Sequence, residues 1–277
     1  MTIRIVTDSS CDLPQGIADS LGITIVPLKV SFGSDDYVDR TTITTDQFWQ
    51  KCAASSELPQ TAAPSQGDFG QVYRGLKDQG ATGIVVIALS SSLSATMQSA
   101  VNAAKEMAGE IDVRVVDSRN ASLGVGLTAV DCAERAAAGD SIDQIVAMAE
   151  RLVPRTHVFG ALDTLENLKK GGRIGGAKAF LATTLSIKPV IEIRNGKVEE
   201  GGRQRTRSKA LAFLATKVRE AGNVSNLAIL QAQCTDFHDL VNELKSTYRD
   251  DIVVGDIGPI IGSHTGSGTI GVAYHVA

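Results

Sequence analysis

A single histidine near the end of the chain sits in a stretch suited to close approach. His264 lies in GPIIGSHTGSGTIGV, among Gly258, Gly262, Gly266, Gly268 and Gly271. An imidazole can serve as base, hydrogen-bond partner or metal ligand, and glycines let backbones and ligands pack tightly around it. A second group is Ser90, Ser91, Ser92 and Ser94, in IALSSSLSATMQSA, between an apolar run and a helical pattern. Hydroxyls and unsatisfied amides converging at a helix start suit a carboxylate or phosphate; simple helix capping explains the same serines. In ELPQTAAPSQGD, Thr61 lies between Pro59 and Pro64, with Ser65 directly after the second, and the prolines pre-set part of the backbone, although a surface turn with a capping serine reads equally well. Asp8 and Asp12, in TDSSCDLP, either hold a ligand or cap a helix and brace the loop.

Spacing excludes several familiar chemistries. Gly266, Gly268 and Gly271 spell G-x-G-x-x-G, but a dinucleotide site needs that pattern between a strand and a helix, with an acidic residue about 20 positions on. The closing segment TIGVAYHVA reads instead as a strand. KKGGRIGGAK does not match the G-x-x-x-x-G-K-[ST] phosphate loop, so no nucleotide site is expected in this chain. GSHTG puts His264 where a hydrolase elbow carries serine; a Ser94–His264 dyad stays open, without an evident third member. Cys11, Cys52, Cys132 and Cys234 are scattered, and His157, His238 and His275 stand alone. Neither a disulfide framework nor a metal site is expected.

The basic residues suggest a surface role. Lys169, Lys170, Arg173 and Lys178 fall among glycines, and Arg203, Arg205 and Arg207 alternate in GGRQRTRSKA. Alternation on an extended segment puts arginines on one face, which suits an ion-paired docking surface; solvated surface charge is the competing reading. A net charge of −4 argues against a nucleic-acid partner. The 277 residues are 43% hydrophobic and 21% charged, an ordinary soluble composition. No apolar run has the length of a membrane span, and MTIRIVTDSS lacks the features of a signal peptide. A cytoplasmic location is therefore expected.

These groups need positioning, and the elements that could do it alternate from the start. IRIVTD, TIVPLKVSF, GIVVIAL and DVRVVDS read as strands between helical patterns, GIVVIAL being apolar enough for burial on both faces. Thr44 with Gln47, Ser65 with Asp68, and Ser141 with Gln144 have the spacing of capping boxes. Later, HVFGALD, LAILQAQ and DIVVGD are strands, and KPVIEIRNGKVEEGG is a hairpin turning at Asn195-Gly196. The fold class is α/β, with two lobes: an N-terminal one, 1–154, on a mainly parallel sheet, and a C-terminal one, 155–277, on a mixed sheet with the hairpin. No Pro- or Ser-rich linker separates them, so they should pack closely and share a cleft.

TDSSCDLP, LPQTAAPSQGDF, SSSLSATMQSA, LDTLENLKKGGRI, LSIKPVI and GPIIGSHTGSGTIGV together resemble the DegV family of bacterial fatty-acid-binding proteins, in the family's order and across the whole chain. The resemblance implies two α/β lobes holding one long-chain fatty acid, its tail in an apolar tunnel and its carboxylate near the cleft. It also implies a non-catalytic protein, without cofactor, that can present the carboxylate to a separate ATP-binding kinase for acyl-phosphate formation. The family's carboxylate ligands fall on Thr61, Ser94, the Ala95 amide and His264, and positions facing the kinase on Arg173, Arg203 and Arg205. Two residues depart from the family's pattern, Ala95 in place of glycine and Ser267 in place of proline. Outside the carrier reading stand an acyl-transfer or hydrolytic enzyme using Ser94 and His264, and a carrier of another small anion.

Overall fold

The computed structural model describes residues 2–182 and 187–277. Its first part runs β1 (Ile3–Asp8), α1 (Gln15–Ser20), β2 (Thr24–Val26), β3 (Lys29–Phe32), β4 (Asp35–Val38), α2 (Thr45–Ala54), β5 (Gln60–Ala62), α3 (Gln66–Asp78), β6 (Gly83–Ala88), α4 (Thr96–Glu106), β7 (Asp112–Asp117), α5 (Leu123–Ala137) and α6 (Ile142–Leu152). The order β2-β1-β6-β7 makes a sheet that is parallel throughout. Every residue of β6 is buried, as a central strand covered on both faces requires. All three capping boxes form, with both reciprocal bonds present at Thr44/Gln47, Ser65/Asp68 and Ser141/Gln144.

One strand divides. TIVPLKVSF, expected as a single strand, splits at Pro27, which has no amide hydrogen for a ladder. β2 stays at the edge of the parallel sheet, while β3 joins β4 and β5 in a small antiparallel sheet ordered β4-β3-β5. The stretch around Thr61, which the sequence allows as a surface turn, is thus a strand, with Thr61 paired to Val30.

The second part runs β8 (Thr156–Ala161), α7 (Glu166–Lys170), a 3-10 segment at Gly175–Ala182, β9 (Lys188–Arg194), β10 (Lys197–Gln204), α8 (Arg207–Glu220), β11 (Val224–Gln231), α9 (Phe237–Lys245), β12 (Ile252–Asp256), α10 (Pro259–Thr265) and β13 (Ile270–Val276). Its sheet has the order β10-β9-β8-β13-β11-β12, antiparallel except between β11 and β12. Asn195 and Gly196 turn the β9–β10 hairpin with φ of 52° and 81°, as a two-residue turn of this twist demands. Leu185 and Ser186 of the LSIKPVI motif lie outside the described residues. No helix among the described residues is long and apolar enough to cross a membrane.

α5 joins the two sheets. Its residues Leu123 to Ala129 are all buried, and it packs on β1 and β6 on one side and on β8, β11 and β13 on the other. A helix apolar all round belongs inside a protein, and one hydrophobic cluster accordingly runs from Ile5 and Val85 through Leu123 and Leu127 to Val158, Leu230 and Ala273.

The final glycine run starts with a helix. Pro259 occupies the first position of α10, where its missing amide hydrogen costs nothing. At Gly262 a Cβ would come within 2.8 Å of the Trp49 ring, so α10 lies directly on α2. The Trp49 indole N–H donates to the Ile257 carbonyl at 3.1 Å, fastening the same junction. His264 therefore rides on a helix that the N-terminal half holds in place.

Candidate functional site

Between the sheets lies a cavity of about 1090 Å³, including its open mouth. Leu28, Leu89 and Leu93 reach it from the first half of the chain, and Ile191, Ile193 and Ile260 from the second. Its floor includes Gly160 on β8 and Gly271 on β13, which pair across the ladder. A Cβ at Gly271 would come within 2.4 Å of the Phe159 carbonyl oxygen, so only glycine lets β13 lie this close to β8 there, whereas one at Gly160 would touch the Ile191 and Leu162 side chains at 3.6 Å.

The mouth is polar. Thr61, Ser94, Ala95, Arg173 and His264 all border the cavity, so the structure brings together every residue expected to hold a carboxylate. Thr61 is placed by β5, Ser94 and Ala95 by the turn into α4, and His264 by the last turn of α10. Thr61 Oγ1 and His264 Nε2 are 2.9 Å apart. Burial, with the Arg173 charge adding to it, pushes the His264 pKa down to about 4, so the ring is neutral near pH 7. Among the described residues its buried Nδ1 has no hydrogen-bond partner. A buried unpaired N–H costs more than an unpaired lone pair, which favours the tautomer with hydrogen on Nε2. In that form His264 donates to Thr61 Oγ1, and the Thr61 hydroxyl hydrogen is free to donate onward.

Ser94 Oγ lies 2.9 Å from Thr96 Oγ1 and accepts from the Thr96 amide at 3.3 Å. It forms a side-chain bridge at the start of α4, whose own N-cap, Ala95, supplies none. The positive end of the helix dipole thus opens at the cavity mouth. No hydrogen bond joins Ser94 to His264 among the described residues: each is bonded to a threonine instead. The dyad that hydrolysis would need is not assembled.

Arg173 is half-buried and borders the cavity rather than standing on open surface. Its Nε donates to the Leu93 carbonyl at 3.1 Å and its Nη1 to that of Gly171 at 2.7 Å, so it is fixed in place. It is the only permanently charged residue among those described as lining the cavity. An apolar chamber with one cation and several neutral donors at its mouth fits an anion carrying a long apolar tail.

The other arginines lie elsewhere. Arg203 is exposed and pairs with Glu200 at 2.7 Å; Arg205 is exposed beyond the end of β10. Arg207 does not continue an extended row, as the alternation suggested: it opens α8 and pairs with Asp236 at 2.8 Å. The helix begins because the Thr206 hydroxyl caps the Lys209 amide.

The aspartates of TDSSCDLP brace the frame. Asp8 accepts from the Ser10 amide at 3.1 Å and the Leu89 amide at 2.8 Å. Asp12 accepts from the Gly258 amide at 2.9 Å and from the Ser122 hydroxyl, tying the starts of α10 and α5 together. Burial lifts the Asp12 pKa to about 7. No group of His, Cys, Asp and Glu among the described residues is arranged to hold a metal ion.

Sequence reasoning missed Gly171, where a Cβ would come within 2.4 Å of His264 Nδ1. Its only signal is the Gly171-Gly172 pair, which ends α7 after Lys170. It likewise missed the facing glycines of the floor, because strand pairing is not written locally.

The family model for DegV, described as an uncharacterised protein family, matches residues 2–276. A DegV domain-containing protein of Deinococcus radiodurans is 36% identical over 288 residues, covering 99% of this chain and 98% of the relative. One of Streptomyces coelicolor is 36% identical over 279 residues, covering 98% and 97%. Among solved structures, a DegV family protein of Thermus thermophilus, described by its fatty-acid binding, superposes with a TM-score of 0.93 at 37% identity, covering 100% of both chains. DegV of Bacillus subtilis, a fatty-acid-binding protein, gives 0.89 at 27% identity, again covering 100% of both. A stearic-acid-binding protein of Eubacterium ventriosum gives 0.86 at 27%, covering 99% and 98%. Matched from end to end by the family model and by these relatives, the chain belongs to the DegV family.

Proposed function

We propose that the protein binds one long-chain fatty acid and presents its carboxylate to an ATP-binding kinase. The observation that carries the reading is the joining of an apolar chamber to a mouth bordered by Thr61, Ser94, Ala95, Arg173 and His264. Its family members of similar structure that bind fatty acids support it. Burial of the tail supplies the affinity: a dozen methylenes at about 0.8 kcal/mol each give on the order of 10 kcal/mol before ordering costs. The head group supplies orientation. Thr61 and Ser94 donate from hydroxyls, the Ala95 amide adds a backbone donor, and His264 acts through Thr61.

Neutral donors leave the carboxylate its charge and hence its nucleophilicity. Arg173 attracts it, yet spends Nε and Nη1 on protein carbonyls. With a partner holding a nucleoside triphosphate, a carboxylate oxygen attacks the terminal phosphorus. An O–P bond forms to give the acyl phosphate, the bond to the bridging oxygen breaks, and the nucleoside diphosphate leaves. Arg203 and Arg205, exposed at the end of β10 and just beyond it, are the docking residues of this reading. The test is to mix lipid-loaded protein with candidate ATP-binding kinases of the same cell and trap acyl phosphate as the hydroxamate. Product should form only when both chains are present, and Arg205→Glu should lower it in a salt-sensitive way while lipid binding holds.

A further inference from the structure

Beside the apolar chamber lies a second hollow of about 740 Å³, its open mouth included, and among the described residues the two meet only at Thr61, Arg173 and His264. Its remaining polar wall is Gln60, Asn167, Lys170 and Ser263. Among the described residues its lining holds no carboxylate and two cations, Arg173 and Lys170. The Lys170 ammonium is 3.7 Å from Glu166 in an exposed pair, and such pairs are weak enough for the lysine to turn to a ligand. The Asn167 amide makes one long bond, 3.5 Å, to the Ser263 carbonyl, so it too has donor capacity to spare.

We propose that this polar hollow seats the phosphate of an acyl phosphate whose tail remains in the apolar chamber. The inference rests on the fatty-acid reading above and extends it to the phosphorylated lipid. A fatty acid ends at its carboxylate and leaves the hollow unused. An acyl phosphate adds, one bond beyond the carboxyl oxygen, a tetrahedral group with several acceptor oxygens and more negative charge. Lys170 and the Asn167 amide line the hollow that Thr61 and His264 border from the chamber side, and so offer donors to those oxygens. The hollow would thereby distinguish product from substrate, holding the phosphorylated form through contacts that the free acid cannot make.

The probe is a 2-oxoalkylphosphonate of fatty-acid length, in which a methylene replaces the bridging oxygen. It is titrated against the delipidated full chain beside the parent fatty acid. Lys170→Gln should weaken phosphonate binding about 5- to 20-fold and leave the fatty acid essentially unchanged; Lys170→Arg should restore it. Equal effects of Lys170→Gln on both ligands, or on neither, overturn the inference, as does a wild-type chain that takes the fatty acid and rejects the phosphonate. A non-hydrolysable triphosphate analogue that binds the lipid-loaded chain through Lys170 would assign the hollow to the phosphoryl donor and overturn it as well. A wild-type chain that binds neither lipid defeats the fatty-acid reading itself.

Discussion

Replacing Gly171 by alanine should damage the head-group site without removing a donor from it. Gly171 has φ −74° and ψ −5°, so alanine adds no backbone strain. Its Cβ would stand 2.4 Å from His264 Nδ1 and 3.0 Å from the Asn167 carbonyl oxygen. To regain an ordinary contact the ring has to retreat by about 1 Å. The 2.9 Å bond to Thr61 does not survive a shift of that size. A hydrogen bond contributes about 0.5–1.5 kcal/mol net, and up to about 3 when it supports a charged group. A loss of about 1–2 kcal/mol is a 5- to 30-fold weaker affinity. Displacement of a fluorescent fatty acid measures it, with a melting curve to confirm the fold. Thr61→Ala and the double variant complete a cycle in which the effects should not add, since both break the same link. Wild-type affinity in Gly171→Ala, or strict additivity with Thr61→Ala, would refute the positioning of Thr61 by His264.

Ser94→Ala removes a hydroxyl donor and should weaken fatty-acid binding by about 1.5–3 kcal/mol in the same displacement assay, with little change in melting temperature. At Gly160 the nearest atoms to an added Cβ belong to Ile191 and Leu162, at an ordinary contact distance of 3.6 Å, so Gly160→Ala should fold and narrow the floor. Lipid extracted from that variant should shift toward shorter chains, as chromatography of the methyl esters would show. Because His264 titrates at about 4 instead of 6.5, the unfolded chain takes up a proton between those values that the folded chain refuses. Its contribution to stability is whole above pH 6.5 and is lost as pH falls toward 4. Asp12, lifted to about 7, acts with the opposite sign, so the comparison has to be between variants. The melting-temperature difference between wild type and His264→Gln should shift against the wild type from pH 7 to pH 5, and a constant offset would contradict the burial of a neutral ring.

Much of the fold was legible because its signals are local. Apolar runs gave β1, β6 and β7, reciprocal caps gave the starts of α2, α3 and α6, and Asn195-Gly196 gave the hairpin. The errors arose where distant parts of the chain decide. Pro27 broke a strand whose two halves then joined different sheets. The glycines around His264 suggested close approach of a ligand, yet Gly262 serves the packing of α10 on Trp49, a residue more than 200 positions away in the chain. Alternation placed Arg207 in an extended row, but the Thr206 cap turned it into the first residue of a helix. The proposed carboxylate site came through motif resemblance, and Thr61, Ser94, Ala95 and His264 border one cavity in the fold. The position of Arg173 beside them depends on how the turn after α7 packs under Leu93. Side-chain types alone do not encode that.

The most direct measurement is native mass spectrometry of the full chain purified from bacteria without added lipid, followed by extraction of whatever it carries. The expected result is one long-chain fatty acid per chain, released on denaturation and replaced when a different fatty acid is supplied in excess. A chain that carries no acyl lipid and takes none up, or one whose bound anion has no apolar tail, would contradict the account.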